Sequence, residues 1–156
     1  MKKEDNGAAR GALAGIKVVD FSRMLPGPWC TQMLGDLGAD VIKVEQPEVG
    51  DLGRHNPPNF KQSSVYFTTV NGNKRGVALD LSRAEDRKKA HELIAEADVI
   101  VESYRRDVTK RLEIDYNTAR KINPRIIYCS ITGFGQTGPW AGIPGHDLVV
   151  QAVTGV

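Results

Sequence analysis

The hydrophobic pattern opens with two short apolar runs on either side of a helical segment. Residues 16–21 and 41–44 are rich in β-branched side chains, which is typical of buried strands. Between them, residues 29–37 have helical spacing, with Pro28 suited to a first helical turn and Gly38 to the left-handed position after a helix. This spacing predicts a βαβ crossover with parallel strands. Ligands bind at the carboxyl ends of such strands, where the loop 22–28 lies.

The rest of the chain continues the alternation of strand and helix. Strands are expected at 76–81, 98–102 and 125–132. A helix is expected over 82–97, because Ser82 and Glu85 have the spacing of a capping box. Asp115 is expected to cap a second helix that ends at Asn123-Pro124, and the period of 63–71 decides neither helix nor strand.

The resulting order is β-α-β, loop, β-α-β-α-β. It predicts an α/β fold with a mostly parallel sheet and flanking helices.

Composition and charge exclude several classes of function. The chain has 156 residues, enough for one domain, with 21 basic and 19 acidic residues and a net charge of +2. This balance gives no indication of a nucleic acid or an acidic membrane as partner. No apolar run approaches the roughly 20 residues that a membrane helix needs. Residues 1–12 lack the apolar core of a signal peptide, so we expect a disordered leader there and a cytoplasmic location.

Cysteines and histidines do not indicate a metal or disulfide framework. Cys30 and Cys129 are too few for a disulfide scaffold, and both lie in apolar runs, so inert buried thiols are expected. His55 and His91 have no partner at metal-ligand spacing. No metal site is therefore expected.

A glycine-rich motif follows the last predicted strand. Residues 133–138 spell G-x-G-x-x-G, the pattern of dinucleotide sites. That motif should open a helix, yet Pro139 follows here and a second proline, Pro144, comes five residues later. Two interpretations remain: a tight mobile loop, or an active-site loop in which the backbone approaches a substrate closely.

Two further groups carry candidate chemistry. Arg105 and Arg111 follow the strand 98–102, at the same sheet edge as the loop 22–28, and suit the phosphates of a ligand as well as a solvated surface. His146 and Asp147 precede the last apolar run. Asp147 is either a helix cap or a functional carboxylate, and His146 is a candidate proton-transfer group.

Five motifs in this order resemble the family III CoA-transferases, a family that includes the α-methylacyl-CoA racemases. The resemblance extends from about residue 13 to residue 156 and covers the N-terminal part of a family member. The motifs are DFSRMLPGPWCTQMLGDLGADVIKVE, NGNKRGVALDL, ADVIVESYRR, NPRIIYCSITGFGQTGP and PGHDLVVQA. The resemblance implies an incomplete, Rossmann-like CoA-binding domain over 13–156. We therefore expect the chain to be a fragment of a longer protein.

The resemblance also implies a reaction. Family members move CoA between a thioester and a free carboxylic acid by covalent catalysis: an aspartate attacks the acyl-CoA, and the reaction passes through a mixed anhydride and an enzyme-bound thioester. This nucleophile is expected beyond Val156, so the fragment alone is expected to be inactive. The implied ligands are CoA or acyl-CoA and a small carboxylic acid, and the implied assembly is an interlocked homodimer.

Site residues are carried over from the family's motifs one by one. Leu25 and Pro26 match the loop near the reacting thioester, and Asp147 matches a supporting acidic position, with His146 beside it. The segment beside the adenine is matched by Leu79, Asp80, Leu81 and Ser82. The stretch that holds the nucleotide and phosphates is matched by Ser103, Tyr104, Arg105 and Arg111.

Departures from the family pattern keep alternatives open. Gln46 stands where some members carry an arginine for CoA, and residues 103–107 replace the commoner Asn-Phe-Arg-Pro-Gly. Gly145-His146-Asp147 is also the racemase spelling, in which the histidine moves the α-proton. Pro144, Gln151-Ala152 and the turn 71–75 favour the transferase. A catalytically inactive CoA-binding module and an oxidoreductase with a nucleotide cofactor are the remaining alternatives.

Overall fold

A computed structural model describes residues 11–61 and 63–155. The expected leader, residues 1–12, therefore lies outside the described residues except for Gly11 and Ala12. The strands are β1 (Lys17–Asp20), β2 (Asp40–Glu45), β3 (Asn59–Phe60), β4 (Ser63–Ser64), β5 (Lys74–Ala78), β6 (Val99–Glu102) and β7 (Ile127–Ser130). The α-helices are α1 (Pro26–Asp36), α2 (Val65–Thr69), α3 (Ala84–Glu96), α4 (Val108–Arg111), α5 (Tyr116–Ile122) and α6 (Asp147–Thr154), and Leu52–His55 form a 3₁₀ turn.

Five strands form one parallel sheet in the order β5-β2-β1-β6-β7. The prediction of an α/β, Rossmann-like sheet with flanking helices is confirmed. The chain builds outward from β1 in one direction through β2 and β5, and then in the other through β6 and β7. The order therefore reverses between β1 and β6. In open parallel sheets a ligand crevice lies at such a switch point, outside the carboxyl ends of the strands.

Alternate residues of the strands build two cores, one on each face of the sheet. Val18, Val41 and Val101 form the smaller core, against which Leu34 of α1 packs. The larger core lies on the opposite face, where the helices α3 and α5 supply Ala90, Ile94 and Ala119. The same alternation sends Asp20 and Lys43 to the α1 face and Glu102 to the α3 and α5 face.

Several boundaries differ from the predicted ones. α1 begins at Pro26, three residues early, because both of its first prolines fit a turn whose N–H groups need no partner. Pro26 is thus a helix residue and not a loop residue. Gly38 takes the expected left-handed conformation, with φ of +101°. β5 begins at Lys74 and ends at Ala78, because it pairs along β2 from Val41 to Glu45.

One predicted helix cap is confirmed, one is wrong, and the cap interpretation of Asp147 is not supported. Asp115 caps α5 and accepts hydrogen bonds from the N–H groups of Asn117 and Thr118, as predicted. The capping box of Ser82 is wrong, because α3 starts at Ala84 and the Ser82 hydroxyl donates to Asp80 instead. Asp147 is the first residue of α6 and not its cap.

Large apolar side chains remain exposed on several elements. Trp29 and Met33 of α1, and Leu37 just after its last residue, follow one another at four-residue spacing and are 50–57% exposed. Leu148 of α6 is 78% exposed, and Ile127 of the edge strand β7 is 63% exposed. Within the two described ranges, no helix has both the length and the apolar character required to cross a membrane.

Candidate functional site

At the switch point between β1 and β6, Arg23 joins the loop after β1 to the segment after β6. Its backbone N–H donates to Ser103 Oγ at 2.9 Å, and its guanidinium donates to the Tyr104 hydroxyl at 3.2 Å. The guanidinium carbon also lies 4.9 Å from the centroid of the Tyr104 ring, within cation–π distance. The loop after β1 and the segment after β6 therefore meet at the switch point. Their juxtaposition agrees with the prediction that both lie at one sheet edge.

A buried carboxylate lies directly beneath this loop. Asp20, the last residue of β1, is fully buried and accepts hydrogen bonds from the N–H and hydroxyl of Ser22. Its other oxygen accepts from Thr31 Oγ1 at 2.6 Å and from Lys74 Nζ at 3.1 Å. A buried carboxylate is stable only when its lone pairs are satisfied and its charge is paired. Asp20 meets both conditions and joins β1, α1 and β5.

A second buried ion pair joins the loop to the segment after β2. Lys43 Nζ donates to the Ser22 carbonyl at 2.9 Å and lies 2.9 Å from Asp51 Oδ2. Among residues 11–61 and 63–155, Asp51 Oδ2 accepts no hydrogen bond of good geometry, and the cation that faces it is the Lys43 ammonium. Asp51 Oδ1 accepts from the N–H groups of Met24 and Gly53 at 3.0 and 2.8 Å. These bonds hold Met24 at φ of +67°, an unfavourable backbone conformation for its side chain.

The two lysines and two aspartates balance one another, so the cluster formed by Asp20, Lys43, Asp51 and Lys74 is neutral. We call it the charge cluster. Burial lowers the pKa of Lys74, and the nearby Asp20 carboxylate opposes this effect. Two buried charge pairs fix the base of the loop 22–25, which gives the crevice one preorganised wall.

An outer ion pair extends the charge cluster. Arg54 donates two hydrogen bonds to Glu45, at 2.7 and 2.8 Å, and its guanidinium stacks 3.7 Å from the Phe67 ring centroid. Burial would raise the pKa of Glu45, but the Arg54 guanidinium and the N–H of Asp51 outweigh it and hold that pKa below its usual value.

The structure places the predicted binding residues at different depths. Leu25 is 41% exposed at the crevice, and Pro26 follows it at the start of α1. Leu79 and Leu81 have their side chains in the core, so only their backbone is available for contact with a ligand. Asp80 lies between the two leucines, and Ser82 follows Leu81. The Ser82 hydroxyl and backbone N–H donate to the Asp80 carboxylate at 2.7 and 3.0 Å.

Arg105 and Arg111 are exposed beyond the carboxyl end of β6. Over the described ranges, neither forms an ion pair with an acidic side chain. In contrast, Lys74 forms an ion pair with the buried Asp20, and Arg75 forms one with Asp40 at 2.6 Å. At the carboxyl ends of the strands, the described positive charges without an acidic partner therefore include Arg23 after β1 as well as Arg105 and Arg111 after β6.

The glycine-rich segment closes on itself as a loop. A Cβ built on Gly133 would lie 2.5 Å from the Cα of Gly145, so two glycine backbones touch at the base of the loop. The next helix, α6, starts only at Asp147, which confirms that the motif does not open a helix. His146 and Asp147 follow this contact and are exposed, and Asp147 accepts a hydrogen bond from Gln151 at 2.8 Å.

Cys30 and Cys129 are half-buried and not fully buried as expected. Burial raises the pKa of both thiols, which keeps them protonated and poorly nucleophilic.

Sequence reasoning missed the charge cluster, Arg23 and the buried Glu102. The available signal was a charged residue inside an apolar strand pattern, as in VVDF, VIKVE and VIVE. Such a residue is either turned to solvent or paired in the interior. Identifying the partners required the tertiary structure.

Comparison with known proteins shows the same fold and a longer chain in the relatives. The model of CoA-transferase family III matches residues 13–156. A succinate–glutarate CoA-transferase of Agrobacterium fabrum is 45% identical over 92% of this chain and 38% of its own length. An acetyl-CoA:oxalate CoA-transferase of Acetobacter aceti is 43% identical over 94% of this chain and 38% of its own.

A crystal structure of a CAIB/BAIF family protein from Brucella suis superposes with a TM-score of 0.89 at 43% identity, over 94% of this chain and 40% of that one. The chain thus spans about two fifths of the length of these relatives.

Proposed function

The chain belongs to CoA-transferase family III, and on that premise we propose that the protein moves CoA from an acyl-CoA thioester to a free carboxylic acid. The family supplies the premise that CoA thioesters are substrates. The proposed chemistry is covalent. An aspartate beyond Val156 attacks the thioester carbonyl and displaces CoA thiolate, which gives a mixed anhydride; the thiolate then attacks the aspartyl carbonyl, releases the donor acid and leaves an enzyme-bound thioester, from which the acceptor acid takes over the CoA through a second anhydride. This chain contributes the CoA-binding part of the site.

One observation carries the proposal. The cationic segment after β6 meets the loop after β1 across the switch point, where an extended anionic ligand is expected in this fold. Arg105 and Arg111 supply charge for the phosphates of CoA, and the preorganised loop 22–25 carries Leu25 toward the reacting end. The polar pair Asp80 and Ser82 is proposed to lie beside the adenine.

A dicarboxylic acid is the proposed acceptor. The two curated relatives compared above are named for succinate and glutarate and for oxalate. A human relative named succinyl-CoA:glutarate CoA-transferase is 44% identical over 92% of this chain and 33% of its own length. Their shared acceptor chemistry is a short chain with two carboxylates.

The racemase is the second candidate, and the exposed His146 favours it. His146 lies at the end of the glycine-rich loop, beside Asp147, and neither side chain is buried. An exposed imidazole near neutral pH is suited to proton transfer. In the transferase, His146 and Asp147 are proposed only to support the reacting groups. A CoA-binding module without activity is the third candidate.

Isotope exchange separates these candidates. The full-length protein, expressed from its gene, is incubated in D₂O with a 2-methylacyl-CoA and a mixture of free dicarboxylic acids, and the CoA esters are measured by mass spectrometry. New CoA esters without deuterium in the donor are expected for the transferase. Deuterium at the α-carbon without new esters would identify a racemase. CoA binding by calorimetry with neither product would identify the binding module.

Location and assembly are part of the proposal. A cytoplasmic location and an interlocked homodimer stay predictions, the first from the absence of a signal-peptide pattern and the second from the family resemblance.

A further inference from the structure

Glu102, at the carboxyl end of β6, is a buried carboxyl group without a cation beside it. Its side chain is almost fully buried, and across residues 11–61 and 63–155 no lysine or arginine forms an ion pair with it. The buried carboxylates of the charge cluster differ, because each faces a lysine. A buried acid in this position needs another explanation.

The polar neighbours of Glu102 belong to two different segments, the stretch after β6 and the end of β7. Its Oε2 accepts from the N–H of Tyr104 at 2.8 Å. Ser130 lies opposite Glu102 in the β6–β7 register, so their side chains share one face of the sheet, and the Ser130 hydroxyl lowers the pKa of the Glu102 carboxyl group. Gln136, on the glycine-rich loop, donates to the same Ser130 hydroxyl at 2.7 Å. Neighbouring polar groups therefore connect Tyr104 to Gln136.

The path continues beyond Tyr104 to the crevice. The Tyr104 hydroxyl and ring hold the Arg23 guanidinium, and the neighbouring Ser103 holds the Arg23 backbone. One buried acid thus touches the segment that carries Arg105, and through Ser130 it reaches the loop that ends at His146.

We propose that Glu102 is a positioning residue that couples CoA binding at the segment 103–105 to the conformation of the glycine-rich loop 133–145, through Ser130 and Gln136. This inference rests on the proposed function, since it takes CoA as the ligand of the segment 103–105. Glu102 itself touches no reacting atom.

The pKa of Glu102 reflects the same surroundings. Burial raises this pKa, and the Ser130 hydroxyl and the Tyr104 N–H oppose the effect. A glutamine at this position keeps an oxygen that accepts from the Tyr104 N–H and an amide group that can hydrogen-bond to Ser130, whereas a leucine of similar size can do neither. The Gln variant is therefore expected to keep the coupling that the Leu variant loses.

Amide hydrogen exchange with and without CoA tests the coupling in the full-length protein. In the wild type, CoA is expected to slow exchange over residues 133–138 by about 2- to 10-fold, the equivalent of one neutral hydrogen bond. Gln136→Ala removes the last contact of the path from an exposed loop position, so the fold is retained. This variant and Ser130→Ala are expected to bind CoA and to show no slowing. Glu102→Gln is expected to restore the slowing that Glu102→Leu abolishes.

Thr137→Ala is the matched control, since Thr137 is the exposed neighbour of Gln136 on the same loop. It is expected to behave as the wild type. Slowing that persists in Gln136→Ala and Ser130→Ala would overturn the inference and leave the proposed function intact. A wild type that does not bind CoA in calorimetry would overturn both.

Discussion

The Lys43 ammonium lies 2.9 Å from the Asp51 carboxylate, and both side chains are at least 98% buried. The two residues belong to β2 and to the loop after it, and together they hold the loop 22–25 through the Ser22 carbonyl and the Met24 N–H. A protein interior tolerates such charges only as a pair. The loop 22–25 is therefore tied to a buried ion pair whose members depend on each other.

Removing one member of this pair should strongly destabilise the domain. Asp51→Ala leaves Lys43 buried with only the more distant Asp20, at 3.9 Å, to balance it. We expect the free energy of unfolding to fall by about 3–5 kcal/mol in urea denaturation. Asp40→Asn is the control, because the Arg75–Asp40 pair is solvent-exposed and its loss should change stability by about 0–1 kcal/mol. An equal loss of unfolding free energy in the two variants would show that burial does not determine how much an ion pair stabilises the domain.

Arg111 is expected to contribute directly to CoA binding. Arg111→Ala should weaken CoA binding by about 1.5–3 kcal/mol, as for a hydrogen bond to a charged group, measured by calorimetry on the full-length protein. Lys121→Ala is the charge-matched control. Lys121 is exposed in the last turn of α5, which leads to the start of β7 and so to the opposite edge of the sheet. An unchanged CoA affinity in Arg111→Ala would show that Arg111 does not contact CoA.

The Glu45–Arg54 pair predicts a pH dependence of stability with a defined sign. The pKa of Glu45 in the folded chain lies below its ordinary value of 4.5, because Arg54 outweighs burial. The folded state therefore binds fewer protons than the unfolded state between these two pKa values. The stabilisation is present above the ordinary pKa and is lost as the pH falls through the folded pKa.

Glu45→Gln should accordingly be less stable than the wild type at neutral pH, and the difference should shrink in acid. Urea denaturation of both proteins from about pH 7 down to about pH 3 measures this difference in unfolding free energy. Glu96→Gln is the control, because the Lys17–Glu96 pair is exposed and should show little difference at either pH. A stability difference for Glu45→Gln that is independent of pH would contradict the assignment.

The apolar stripe on α1 should drive association of this 156-residue chain. Trp29 and Met33 lie one turn apart and are 57% and 55% exposed. Contiguous apolar surface of this kind is usually covered by protein. We expect the chain to self-associate, and Met33→Lys to weaken the association by at least about tenfold, since one buried apolar side chain contributes about 1.5–3 kcal/mol.

Sedimentation velocity measures this effect. Trp29→Phe, which keeps the stripe apolar, should associate like the wild type. A monomeric wild type with a sharp unfolding transition would show that the stripe has no such role.

The sequence by itself determined the succession of elements and the family. Apolar periodicity is local, so β1, α1, β2 and the later strands could be located from neighbouring residues alone. Asp115 and Gly38 were predicted correctly for the same reason, because a cap and a left-handed position depend only on the adjacent turn.

Only the tertiary structure decided the strand order, the crevice and the partners of the buried charges. β5 pairs with β2 across 33 residues of sequence, from Val41 to Lys74, and this register moved the strand away from its predicted bounds. Lys74 and Asp20 likewise come together across 54 residues. Local periodicity contains no information on such pairings, because their free energy comes from burial and charge balance in the folded chain. The site therefore combines residues that a motif identifies with residues that only packing brings together.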